Sequence, residues 1–425
     1  MNAMDGGGEV DRRTAGVPVG DGGAAGRGAE PPALGAWPPP TRWPDAVHRG
    51  VAALKGVLQG QRPALLAVSG GADSLALAVL AAVLIGTREG AGLRIGAAVV
   101  DHGLQPGSAA VAAAAAQVCR RLGMEPTCVE TVRVEDDGDG PEAAARAARM
   151  TALAEAARRT GAGLVVTAHT ADDQAEQVLL ALARGSGTRS LAGMPARRRL
   201  LPPTQAGGAE GAGTTGGSDD GRVELVRPLL GLTRADTEAI CAWAGATWWT
   251  DPMNAELDIR RVRVREHLLP LLEDEERGLG AGVRAGLVRS AAIAAEDAAA
   301  LEAWAGRELA RLRRDVEDTA VTASPRPLAL DLDGLAALPA AVRHRIYARA
   351  ATLTGAEPTT RERLLAVDAL VTQARRGGTS AGPVQLGGGT RVRRRRREAA
   401  GGGERPGAGA RTCARLEFHP DPAVD

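Results

Sequence analysis

Residues 64–86 read ALLAVSGGADSLALAVLAAVLIG, and the change of character in the middle of this stretch decides the fold. Ala64 to Val68 is an unbroken apolar run of the length of a buried strand. Ser69-Gly70-Gly71 interrupts it, and Asp73 and Ser74 then open an apolar segment of helical period. Glycines at a strand-to-helix turn let backbone amides and the positive end of a helix dipole face one point, which favours a phosphate. No lysine follows, which excludes the P-loop pattern, and the glycine spacing excludes the dinucleotide fingerprint. The stretch is an anion cradle of another kind.

Outward from it, the strand-then-helix rhythm repeats. Leu93–Val100 is a second apolar run, ending in Asp101-His102-Gly103-Leu104-Gln105. Ser108–Leu122 reads as an alanine-rich helix, Thr127–Val134 as a strand, and Pro141–Thr160 as a helix with Arg146 and Arg149 on one face. Leu164–Ala168 is a further short strand, delivering His169-Thr170-Ala171-Asp172-Asp173-Gln174-Ala175-Glu176 into a helix. Such alternation predicts an α/β fold with a parallel sheet covered on both faces and ligands at the carboxyl ends of its strands. The segments SGGADS, DHGLQ and HTADD should therefore converge.

The 425 residues carry a formal charge of +1 and are 44% hydrophobic, ample for two or three domains. Lys55 is the only lysine, so the positive charge is almost entirely guanidinium, suited to bidentate phosphate contact; a compositional bias of the gene gives the same excess. Cys119, Cys128, Cys241 and Cys413 form no C-x-x-C pair and no zinc spacing, which argues against a structural zinc or an iron–sulfur centre. Neither a signal-peptide pattern nor an apolar span of membrane length is present, so a cytoplasmic protein with no membrane partner is expected.

Composition divides the chain into a disordered leader (1–42), a larger α/β unit (43–275) with a low-complexity insertion (202–221), a connector helix (276–327), a smaller mainly helical unit (328–398) and a mobile tail (399–425). Near the end of the larger unit, TWWTDPMNAELDIRRVRVREHLLPLLE (247–273) sets Asp251, Asn254 and four arginines, Arg260, Arg261, Arg263 and Arg265, before a helix.

SGGADS resembles the PP-loop of synthetases that cleave ATP between its α and β phosphates. Together with VDHGLQ, the Glu142–Arg149 helix, TAHTADDQAEQVLLALARGSGTRSLAGM, RPLL and the arginine-rich segment before LLPLLE, the chain is similar to bacterial tRNA(Ile)-lysidine synthetases over about 43–272. The resemblance implies a Rossmann-like, adenine-nucleotide alpha-hydrolase-like domain followed by a smaller substrate-binding domain. It also implies a reaction: ATP adenylates the wobble cytidine of a CAU-anticodon tRNA(Ile), and free L-lysine then displaces AMP to give lysidine. Ser69, Gly70, Gly71, Ala72, Asp73 and Ser74 would hold ATP, with Asp73 acting through Mg²⁺.

Arg261 is the matching arginine for the α-phosphate, with Arg263 and Arg265 as alternatives, because Val262 stands where the family usually has asparagine. Asp173 and Glu176, i,i+3 on one helix, suit the lysine ammonium, and His169 the nucleotide or intermediate. Arg263, Arg265, Arg343, Arg345 and Arg349 are candidates for tRNA contact, and a homodimer is allowed. Plainer roles stand beside these: a backbone-bonded His169, Asp172 as a helix N-terminal charge, Asp101 and His102 shaping a turn, Arg393–Arg397 as a solvated run, and Trp248 and Trp249 as packing. The rival functions are a PP-loop tRNA thiolase, disfavoured by the missing cysteine pair, and a nucleotide-dependent RNA-binding module without catalysis.

Overall fold

The helix after the anion cradle is apolar on every side, and it is consequently buried on every side. All of α2 (Ala72–Ile85) except Asp73 and Ile85 is buried. It lies in a computed structural model that describes residues 37–58, 60, 62–101, 103, 107–132, 141–185, 187–200, 223–250, 259–314, 326–373, 382–395 and 414–420. The insertion at 202–221, and His102, Asp251 and Asn254, lie outside these residues.

In chain order, α1 (Asp45–Leu58) and β1 (Ala64–Val68) precede α2. β2 (Ile95–Asp101), α3 (Ser108–Arg121), β3 (Thr127–Thr131), α4 (Pro141–Thr160), β4 (Leu164–Val166) and α5 (Ala171–Ala183) follow it. α6 (Thr188–Leu191), β5 (Arg197–Arg199), β6 (Glu224–Val226) and α7 (Arg234–Trp243) complete the first unit's sandwich. The strand order is β3-β2-β1-β4-β6-β5, parallel throughout except for edge strand β5, which pairs antiparallel with β6. Since β1 has β2 on one side and β4 on the other, the loops leaving β1 and β4 face each other across the switch point, where an open α/β sheet binds its ligand.

Side-chain alternation along β1 builds the two cores. Ala64, Leu66 and Val68 join α1 and α2, while Leu65 packs with Leu153, Ala156 and Ala157 of α4 on the other face. At Gly96 of β2 any Cβ would collide with the carbonyl oxygen of Pro126, so the close approach of the chain before β3 requires glycine there. Trp37 stacks on Trp243 with ring centroids 5.5 Å apart, and Pro40–Arg42 forms a helical turn. The folded chain thus already includes Trp37, ahead of the boundary at 42 expected from composition, and the paired indoles supply its apolar contact.

α8 (Arg260–Arg263) passes through one π-helical turn (Val264–Leu268) into α9 (Leu269–Glu273), and α10 (Val283–Leu312) follows within the stretch 276–327 expected as a connector helix, of which 315–325 lie outside the described residues. The second unit is β7 (Arg313–Arg314), β8 (Leu328–Asp331), α11 (Leu332–Ala336), α12 (Ala340–Leu353), α13 (Arg361–Thr372), β9 (Val384–Leu386), β10 (Thr390–Arg395) and β11 (Arg415–Pro420). Its helices pack on an antiparallel sheet ordered β7-β8-β11-β10-β9, so the helical unit carries a sheet as well.

β11 falls in the stretch expected to be a mobile tail, yet it lies inside the sheet, pairing with both β8 and β10. Glycine and proline dominate the surrounding composition and hide a six-residue strand whose Leu416 and Phe418 are fully buried. Arg393–Arg395, likewise, belong to β10 and are not a free solvated run; Thr390 and Val392 face the core between alternating arginines. Among the described residues no helix is long and apolar enough to cross a membrane.

Phe418→Ala should destabilise the second unit by about 3–5 kcal/mol, the usual cost of truncating a buried aromatic. Denaturant unfolding followed on that unit checks this, and an unchanged midpoint would show that β11 is peripheral.

Candidate active site

After Val68 the chain leaves the sheet through Gly70, whose φ of +87° is a left-handed conformation suited to glycine. Gly71 then caps α2 without any side-chain hydrogen bond, so the first-turn amides keep their donors for an anion. Two hydroxyls brace the turn. Ser74 Oγ donates to the Gly71 carbonyl at 3.0 Å, accepts from the Ser69 amide at 3.1 Å, and lies 3.2 Å from Ser69 Oγ. The Trp249 amide donates to the Gly70 carbonyl at 3.1 Å.

Behind the loop stands α7. Its Thr237 hydroxyl donates to Asp73 Oδ1, and its Cys241 thiol donates to the Ala72 carbonyl at 3.4 Å. Burial pushes the Asp73 carboxyl up, while the Thr237 hydroxyl and the Arg234 charge pull it back. Thr237 carries no signal in its own stretch of sequence; it is simply one turn beyond the Thr233–Asp236 capping box that starts α7.

Across the switch point, His169 follows β4 and its Nδ1 lies 2.9 Å from the Thr167 hydroxyl, a side-chain partner where a backbone one was the plainer expectation. Burial drives the imidazole down to about 3, against the opposing charge of Asp173, so the ring is neutral under ordinary conditions. Asp173 closes a capping box at the start of α5, its Oδ2 accepting the Thr170 amide at 2.8 Å.

The Asp173 Oδ1 accepts from Arg261 at 2.7 Å, and Glu176, completely buried, accepts from Arg261 Nε and Arg265 Nε at 2.6 Å each. Desolvation raises the Asp173 carboxyl, yet the Arg261 charge and the Thr170 amide outweigh it and hold the group below the usual carboxylate range. Of the three arginines open to choice from sequence, Arg261 and Arg265 reach these carboxylates while Arg263 is exposed on another face. Val262, in the position the family usually gives to asparagine, is buried.

A cleft of about 340 Å³ is lined by Ser69, Ser74, Asp73, Asp101, His169 and Arg149 among others, with Trp249 as an aromatic wall; Asp173, Glu176, Arg261 and Arg265 are not in its lining. SGGADS and HTADD thus meet as expected. From DHGLQ, Asp101 reaches the cleft and its Oδ1 accepts the Gly103 amide at 3.1 Å, the turn-shaping role. Arg149, known from sequence only as part of a helix face, was missed as a site residue. Protein surrounds it on most sides, the desolvation lowering its pKa, yet it stays water-accessible and has no ion-pair partner among the described residues.

The remaining candidates are engaged inside the protein. Asp172 is a tie between elements, accepting the Arg234 amide at 2.8 Å and Arg284 at 2.7 Å. Arg343 is buried and forks onto Asp368 of α13 at 2.7 and 2.9 Å. Arg345 and Arg349 turn the other way, to Glu302 of α10 at 3.5 and 3.1 Å. The expected RNA-facing stripe on α12 is therefore split between two packing surfaces, since positions 343 and 345 lie on different sides of a helix. Trp248 packs on the main core. Cys119 and Cys241 are buried thiols pushed up to about 11 and about 12 by burial, far from nucleophilic.

A family model described as a PP-loop domain matches residues 46–272. A tRNA(Ile)-lysidine synthase from Leifsonia xyli is 46% identical over 329 residues, covering 77% of this chain and 86% of its own. The enzyme of that name from Nocardia farcinica is 45% identical, covering 78% and 88%. The chain belongs to the tRNA(Ile)-lysidine synthase family. It is accordingly a carbon–nitrogen ligase with an ATP-using PP-loop domain. A solved U34-tRNA thiolase, NcsA from Methanococcus maripaludis, has a TM-score of 0.44 at 17% identity, covering 59% of this chain and 79% of its own. That likeness is too slight to bear on chemistry.

The His169 pKa, lowered from 6.5, has a stability consequence. Below pH 6.5 the unfolded chain binds a proton that the folded one refuses, so acid erodes stability as pH falls towards the folded value. NMR of the His169 ring should show no titration between about pH 5 and 8; a midpoint near neutrality would contradict a neutral buried imidazole.

Proposed function

We propose that this chain ligates lysine to C2 of the wobble cytidine, position 34, of CAU-anticodon tRNA(Ile) in two steps at the one cleft. The observation that supports the reading is that the uncapped α2 N-terminus and His169 line one cleft, while the charges of Asp173 and Arg265 bear on Asp73 of the phosphate loop. In the first step the C2 oxygen attacks the α-phosphate of ATP and pyrophosphate leaves. In the second the lysine ε-amine, having lost a proton, attacks C2; the C–N bond forms and the C–O bond to AMP breaks.

The residues suit these steps on physical grounds. The α2 amides with Ser69 and Ser74 hold phosphate oxygens. Arg149, which lines the cleft and has no ion-pair partner among the described residues, is the guanidinium best placed to stabilise charge on the triphosphate. Mg²⁺ fits Asp73: one carboxylate oxygen takes the Thr237 hydroxyl while the residue lines the cleft, and Mg²⁺ usually relies on one or two carboxylates with substrate phosphates and water. When bound, the ion would neutralise charge developing on the phosphates. Asp173 and Glu176 supply the negative charge that selects an ammonium over neutral amino acids, and the neutral His169 can donate or accept one hydrogen bond to the base or adenylate.

Incubation with the CAU-anticodon tRNA(Ile) transcript, ATP–Mg²⁺ and labelled lysine, followed by digestion and mass analysis, should place lysine on the wobble cytidine. Well-folded protein that incorporates none would sink the reading. Asp73→Asn should abolish pyrophosphate release while the fold is kept.

Arg149→Met should reduce kcat/KM for ATP by about 10- to 100-fold, the loss expected from a charged hydrogen bond of about 1.5–3 kcal/mol. Unaltered ATP kinetics in that variant would remove Arg149 from the phosphate site.

A further inference from the structure

All four oxygens of the carboxylate pair are satisfied by the protein's own groups. Asp173 Oδ2 is held by the Thr170 amide at 2.8 Å and Oδ1 by Arg261 at 2.7 Å. Glu176 Oε1 takes Arg265 Nε at 2.6 Å; its Oε2 takes Arg261 Nε at 2.6 Å and a second Arg265 nitrogen at 3.2 Å. Two carboxylates and two guanidiniums balance, and Glu176 has no exposed surface through which another cation could reach it. An ammonium added to this cluster would leave an uncompensated positive charge in a poorly solvated place, which is strongly unfavourable. An amine therefore binds by exchange with a guanidinium.

The two arginines are not equivalent in that exchange. Arg265 places both of its short contacts on Glu176, as a fork on one carboxylate. Arg261 spreads its contacts over both carboxylates and is the partner of Asp173 at hydrogen-bond distance, Arg265 standing 3.7 Å away. Its charge also bears on His169 and Arg149, both of which line the cleft. Arg261 is thus held next to a like charge that a polyanion would neutralise, whereas Arg265 also feels the Asp73 carboxylate and has the more negative surroundings.

We infer that Arg261 is a built-in competitor for the amine subsite, and that amino acid enters only when a nucleotide's phosphates draw this side chain off Asp173 and Glu176. The order of addition is then nucleotide first and amino acid second. The inference rests on the reading of Asp173 and Glu176 as the amine subsite. Once Arg261 has moved, Arg265 still holds Glu176, and the cluster carries a net charge of about −1, matched to a single ammonium. The same exchange brings a second guanidinium beside Arg149 at the phosphates, so that one movement prepares both halves of the reaction.

Equilibrium dialysis of labelled L-lysine against the full chain tests this, without nucleotide and with α,β-methylene-ATP plus Mg²⁺, which cannot be cleaved at the reacting bond. Lysine should bind at least tenfold more tightly with the nucleotide analogue. Arg261→Met should bind lysine without nucleotide, to within a few-fold of wild type with it, whereas Arg265→Met, which keeps the competitor, should still need the nucleotide. Equal binding by wild type in both conditions overturns the competitor and leaves the amine subsite standing. Lysine bound by neither wild type nor Arg261→Met in any condition, while the analogue still binds, overturns the amine subsite as well. Should Arg261→Met fail to fold, the two wild-type arms decide the question alone.

Discussion

A carboxylate with no exposed surface is tolerable only if cations come to it, and Glu176 imposes that condition on everything around it. The segment that answers it, Arg260 to Leu268, is held to α5 by four guanidinium hydrogen bonds from two arginines one helical turn apart. Such a buried pair adds little net stability over an apolar contact of the same shape, because both partners lose their water. Its effect is on geometry: α8 cannot slide or rotate on α5 without stranding a charge. The backbone that carries both arginines is therefore held beside α5, although the two segments lie more than 80 residues apart in sequence.

The parallel sheet and the meeting of SGGADS with HTADD were legible in the sequence because both follow from local patterns. Apolar runs of strand length alternated with helical segments, and polar clusters sat at the strand ends, so topology alone brings them together. Partners across the fold were not legible. Thr237 reaches Asp73, and Arg284 reaches Asp172, through helix packing that no spacing within either stretch encodes. Arg149 stands out only because it lines the cleft with no ion-pair partner among the described residues, a property invisible until its neighbours are placed.

The arginines illustrate the same limit. With a single lysine in 425 residues, nearly every cationic task falls to guanidinium, and composition cannot separate the tasks. Arg343 ties α12 to α13, Arg393 supports a strand through Glu417, and Arg261 and Arg265 hold the site. In β10 the buried Thr390 and Val392 alternate with Arg391 and Arg393, so a strand was written in what composition presents as a charge run. β11 escaped notice for the opposite reason, being a short alternating segment within a glycine-rich background.

The tie through Asp172 gives α10 the character of a lever. Its thirty residues make a rod of about 45 Å. At one end Arg284 grips Asp172, the immediate neighbour of Asp173, and Leu287 and Val288 pack beside Ala175 of α5. At the other end Ala305, Leu309 and Leu312 form part of the second unit's core. A small tilt of that distant unit, when a large ligand loads it, would be delivered as torque at the N-terminus of the catalytic helix. The second unit is therefore mechanically connected, through α10, to the residue beside Asp173.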